Sequence, residues 1–167
     1  MKLKIVKIIG IFIIFLLCFP LHFLYDIFPN FLTSVISPIN ESIWEHMKLI
    51  YTSYLIWGLI EYFLLEKNKE VNNFLLQLFL VPFFGICIYL IIYLPLFNIF
   101  GENLLISLIL LFVVIVIEQI ISYYLLQKEE IPNQGLIGII GIVAIYIIFG
   151  YLTYFPLNNY LFFDWSK

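Results

Sequence analysis

The sequence predicts an all-α fold: a polytopic membrane bundle of five transmembrane helices, with the N-terminus inside and the C-terminus outside. Three observations lead there. The chain is 64% hydrophobic and only 11% charged, whereas about a quarter of a soluble domain is charged. Its apolar residues fall in long runs, and about 20 such residues cross a bilayer core of about 30 Å. Its polar residues gather between the runs.

The first run, about 4–25, follows a basic start and looks like a signal peptide. No small-residue cleavage site follows it, and Leu16 and Leu17 before Cys18 lack the small residue of a lipoprotein signal. It is therefore read as the first membrane helix. The second span, about 43–65, comes after Ser37 and Pro38, which are suited to an N-cap and a first helical position. The remaining spans are about 74–97, 104–126 and 136–155. The connections 66–73, 98–103 and 127–134 are short and polar; only 26–42 is long. All 167 residues thus form one integral membrane domain. Pro20 and Pro82 fall inside spans and predict freed carbonyls and kinks. Gly135, Gly138, Gly141 and Ala144 predict a close helix–helix approach.

Lysines set the orientation. Lys2, Lys4, Lys7, Lys67, Lys69 and Lys128 fall on the inner side, against Lys48 and Lys167 outside. Tyr25, Trp44, Tyr51, Tyr154 and Trp165 are expected at the outer interface, with Tyr123 and Tyr124 at the inner one. The net charge of −3 is thinly spread and arginine is absent, which points away from nucleic acid. The expected surroundings are the lipid bilayer of a bacterial cell membrane, with a membrane protein or a second copy as candidate partners. Cys18 and Cys87 lie in apolar runs, show no disulfide or zinc-ligand spacing, and read as inert buried thiols.

The stretch SPINESIWEHMK, residues 37–48, breaks the apolar pattern. It reads as a capped helix start: Glu41 and Glu45 in the opening turns, Lys48 within reach of either, and Trp44 as an interfacial anchor. Glu41 and Glu45 are spaced to share one helical face, Ser42 and His46 the next, and His22 and Asp26 one face near the end of the first span. Both histidines and three carboxylates thus reach one membrane level. Mixed His and carboxylate ligands suit a divalent metal, and a Glu–His pair suits acid–base work. The candidate catalytic and metal-ligating residues are His22, Glu41, Glu45 and His46. Asp26, Asn40, Ser42, Trp44, Lys48, Glu61, Gln119 and Asp164 complete the polar network. Glu61 and Glu118 lie deep in the second and fourth spans and must face the bundle interior, as polar glue or as a proton relay.

The segments HFLYD, SPINESIWEHMKL, IEYF, EQIISYYLL and TYFPLNNYLFFD, in that order, resemble an uncharacterised family of small five-helix bacterial membrane proteins. The carrying motif is Pro-x-Asn-Glu-Ser-x-Trp-Glu-His. The resemblance covers essentially the whole chain and implies that His22, Asn40, Glu41, Ser42, Trp44, Glu45, His46, Lys48, Glu61, Gln119 and Asp164 are the family's polar positions. It implies no activity. The tail departs from the pattern, because Leu157 rather than a second proline follows Pro156. Gln119, rather than Glu118, matches the family's position.

Three functions fit. The first is a non-catalytic accessory or interaction protein, docking a partner through an exposed Trp44. The second is a membrane-embedded hydrolase-type enzyme with a His/Glu site, with or without a metal. The third is a small transporter or proton-coupled permease using Glu61 and Gln119, which requires a continuous polar cavity. Asp164 is expected to fold back toward His46.

Overall fold

A computed structural model describes residues 2–65 and 71–164. The described residues form helices and no strands: α1 (Lys2–His22), α2 (Leu24–Ile27), α3 (Phe31–Ile36), α4 (Ile43–Leu64), α5 (Phe74–Phe100), α6 (Leu104–Leu125), α7 (Gln134–Tyr154) and a closing 3-10 turn (Tyr160–Phe162). Lys67, Lys69, Trp165 and Lys167, used above for orientation and interface, lie outside the described residues.

Four helical segments are long and apolar enough to cross a membrane: Lys2–Ile27, Phe74–Phe100, Leu104–Leu125 and Gln134–Tyr154. The sequence predicted five. α4 is long enough, with 22 residues, but carries Glu45, His46, Lys48, Thr52, Ser53 and Glu61. Of these only His46 keeps any notable exposure; the others are buried against neighbouring helices. α4 is the polar helix of an otherwise apolar bundle. The outward faces of the remaining long helices carry exposed Phe12, Leu16, Ile91, Leu105, Ile109, Ile140 and Ile147, a surface compatible with lipid rather than water.

α1, α4, α5 and α6 form a ring in which α1 packs on α4 and α6, and α5 on α4 and α6. α7 lies outside the ring against α5 and reaches α3. Its approach depends on missing side chains. A Cβ at Gly138 would collide with the Leu75 backbone, and one at Gly141 with the Phe79 ring. α1 and α5 remain helical through Pro20, Pro82 and Pro95.

The start of α4 differs from the expectation. Ser37 closes α3: its backbone N–H and its hydroxyl both donate to Thr33 O. The chain then turns, with Ser42 N–H donating to Asn40 Oδ1 at 2.9 Å. Ser42 is the N-cap of α4, accepting from Glu45 N–H at 3.3 Å. The asparagine side chain captures a backbone donor that a helix would need, so the helix begins five residues after Pro38. Tyr51, expected at the outer interface, is instead fully buried against Tyr146 and Phe149.

Candidate metal centre

The late start of α4 separates the two glutamates. Glu41 sits in the turn before the helix and Glu45 in its first turn, so they do not share a helical face. Glu41 meets the histidines. His22 occupies the last turn of α1 and His46 the first turn of α4. Their Nε2 atoms are 3.1 Å apart, and Glu41 Oε2 lies 3.5 Å from His22 Nε2 and 3.4 Å from His46 Nε2.

Tetrahedral zinc with ligands at about 2.0–2.1 Å requires ligand atoms about 3.3–3.4 Å apart. The three edges of this triangle bracket that value. His46 Nδ1 lies 2.9 Å from Ser42 O. A carbonyl only accepts, so in the neutral ring Nδ1 carries the proton and Nε2 presents its lone pair to the triangle. Before a metal binds, a protonated His46 donates from Nε2 to Glu41 and holds its carboxyl below the usual carboxylate range, against the opposing effect of partial burial. Two imidazoles and an ionised carboxylate are the His₂Glu donor set that leaves a coordination position open on zinc.

The triangle borders a cavity of about 380 Å³ between α1, α4, α5 and α6. Its walls are largely apolar, and Glu102, in the turn between α5 and α6, is the other carboxylate on its lining. Asp26, Glu102 and Asp164 act electrostatically on His22, His46 and Glu41 respectively.

Glu45 belongs elsewhere. It pairs with fully buried Lys48 at 2.5 Å, accepts from Thr153 Oγ1 at 2.9 Å and from Ile39 N–H at 3.0 Å. Lys48 also donates to Ser34 O and Thr153 Oγ1. This knot ties α4 to the loop before it and to the end of α7. Trp44 packs between Phe149 and Phe162 and so holds the tail turn against α4.

Glu61 lies at the other end of α4, fully buried. It accepts from Lys7 Nζ at 2.6 and 2.8 Å and from Trp57 Nε1 at 2.7 Å. Lys7, expected among the inner-side lysines, is therefore buried inside the bundle. Glu118 and Gln119 are buried nearby; the Gln119 amide lies close to Gly10 and Glu118 fills the space opposite Gly85. A second cavity, of about 390 Å³, is lined by Lys7 and Gln119 among others.

Sequence reasoning missed Lys7, Thr153, Gln77 and Glu102. Gln77 accepts from both Tyr54 and Ser122 in the core. Lys7 carried a usable signal: it continues the buried stripe Gly10, Ile14, Cys18, Leu21 along α1. Glu102 and Thr153 carried none, being brought to their sites by tertiary packing alone.

The chain belongs to a family of unknown function, DUF6512, whose model matches residues 1–166. No curated protein and no solved structure matches it.

Proposed function

We propose that this member of the family is a membrane-embedded, divalent-metal-dependent hydrolase with His22, Glu41 and His46 as its metal ligands. The observation that carries the reading is the triangle itself: two imidazole nitrogens and a carboxylate oxygen, spaced as tetrahedral zinc ligands, at the edge of a cavity. Zinc held by His22, Glu41 and His46 would supply an activated water and a Lewis acid. Ser42 fixes the His46 ring through its carbonyl. Glu102, the lining carboxylate outside the ligand set, takes the proton from water and returns it to the leaving group.

The membrane arrangement is part of the proposal. All five long helices cross a bacterial cell membrane, N-terminus inside, and the metal centre lies at the outer level. The inner-side lysines support that orientation. α4 crosses despite its polar residues because these are buried against its neighbours rather than turned to lipid.

The other readings find less support. A docking role needs an exposed Trp44, yet that ring is packed between Phe149 and Phe162. A permease needs one polar path. The two cavities share no lining residue, and fully buried Ile14 and Ile115 lie between them along α1 and α6.

The test is metal analysis of the full chain purified in detergent and loaded with zinc. Wild type and Glu102→Gln are expected to hold one zinc per chain, and His46→Ala none. No stoichiometric zinc in wild type would overturn the reading and leave a hydrogen-bonded His–His–Glu cluster.

A further inference from the structure

The cavity beside the metal centre has a shape and a polarity that select a substrate class. Its walls include Phe19, Met47, Ile50, Phe97, Leu108 and Leu111. From Leu104 to Leu111 it follows α6 for two turns, about 10 Å. The next buried layer, Ile14 with Val114 and Ile115, has no measurable exposure and closes it. It is a blind apolar slot with the His–Glu triangle at one end.

Phe19, Phe23 and Leu104 line the cavity and are also exposed, so its rim is largely apolar, with Glu102 exposed beside them. A hydrocarbon chain fits such a slot; a sugar or a nucleotide does not.

Charge selects the head. The lining holds no lysine among the described residues, and the chain has no arginine. Lys48 is turned away into its pair with Glu45. The lining carries the carboxylates of Glu41 and Glu102, so a phosphate or carboxylate head finds no side-chain cation to pair with and meets like charge at Glu102.

We infer that the site hydrolyses an acyl lipid with a neutral or amine-bearing head, its acyl chain lying in the slot and its ester or amide carbonyl at the triangle. This rests on the metal-hydrolase reading. Water oxygen bonds to the acyl carbon and the acyl C–O or C–N bond breaks. The proton released from water goes through Glu102 to the leaving alcohol or amine. The products are a fatty acid and the freed head.

Two matched amides test the head: a long-chain N-acylethanolamine and the N-acylglycine of the same chain, each given to zinc-loaded full-length protein in lipid nanodiscs. The neutral amide is expected to turn over at least about tenfold faster, since like-charge contacts oppose the glycine carboxylate. Leu111→Trp fills the slot and is expected to abolish long-chain turnover while zinc content stays at wild type. Leu111→Ala lengthens the slot and is expected to move the optimum to longer chains, which covers the case of a misfolded tryptophan variant. Equal rates for the two amides, or a preference for the anionic one, overturn the inference while bound zinc preserves the metal site. Absence of zinc removes both. Where zinc binds but neither amide is cut, a long-chain hydroxamate decides. It must raise the unfolding temperature of wild type more than of Leu111→Trp; an equal shift in both overturns the slot.

Discussion

Replacing Lys7 by Met distinguishes a structural strut from a working carboxylate at the end of the bundle opposite the histidines. Glu61 is fully buried and accepts three hydrogen bonds, two from Lys7 at 2.6 and 2.8 Å and one from Trp57 at 2.7 Å. Removing the ammonium leaves one donor for a carboxylate in an apolar setting. Breaking a buried pair from one side costs about 3–5 kcal/mol. The expected loss is about 3 kcal/mol. The double variant Lys7→Met, Glu61→Met carries no buried charge and fits similar volumes, so it is expected within about 1 kcal/mol of wild type. Glu61→Met strands the buried Lys7 ammonium and is expected to cost about as much as Lys7→Met, so the interaction energy is about 5 kcal/mol. Equilibrium unfolding in mixed detergent micelles, over all four proteins, measures it. A Lys7→Met loss below about 1 kcal/mol, additive with Glu61→Met, would refute the strut and return Glu61 to candidacy as a proton carrier.

Ser42→Ala removes the α4 N-cap bond to Glu45 N–H and is expected to cost about 1 kcal/mol. It should also weaken zinc retention, measured by competition with a chelator, because the first turn carries His46. Gly138→Ala drives a Cβ into the Leu75 backbone and is expected to cost about 1–3 kcal/mol by thermal unfolding, as α7 is pushed off α5. Gly135→Ala meets only Leu75 Cδ1 at 3.7 Å and is expected to be neutral or stabilising, which controls for helix propensity.

The helical class and four of the long apolar segments were legible because hydrophobic run length is a property of the chain alone. The meeting of His22 with His46 was legible for a similar reason: each lies at the same end of consecutive long helices, joined by one loop. The partition of the glutamates was not. Helical spacing put Glu41 and Glu45 on one face, but the Asn40 side chain captures Ser42 N–H and ends that face before it begins. The two residues then go to opposite sides, one to the histidines and one to Lys48. The burial of Lys7 was marked only by its place on the buried stripe of α1, because a lysine near an N-terminus is ordinarily solvated and only a partner on another helix explains its burial. That partner, Glu61, was expected to face the bundle interior, but no spacing in the sequence joins it to Lys7.

The Lys7–Glu61 pair and the His–Glu triangle share one register. Fifteen residues separate Lys7 from His22 on α1, and fifteen separate His46 from Glu61 on α4. At about 1.5 Å per residue both paths are about 22 Å long. The helices run antiparallel, so the Lys7–Glu61 pair sets the height at which the imidazoles face each other. Between them the Cys18 thiol lies within hydrogen-bond reach of the Leu49 carbonyl and of Ser53, and Gly10 lets Trp57 approach α1. Lipid offers little hydrophobic gain for helix association, so polar pairs and close packing are what fix this register. One alanine inserted into α4 after Leu55 puts that dependence to the test. With Glu61 held by Lys7, the insertion turns the N-terminal half of α4 by about 100° and lifts it about 1.5 Å. His46 then leaves the triangle. Circular dichroism is expected to keep its helical signal while zinc stoichiometry falls to that of His46→Ala. Zinc retained at wild-type stoichiometry would mean that α1 and α4 slide freely, and that the Lys7–Glu61 pair does not position the metal ligands.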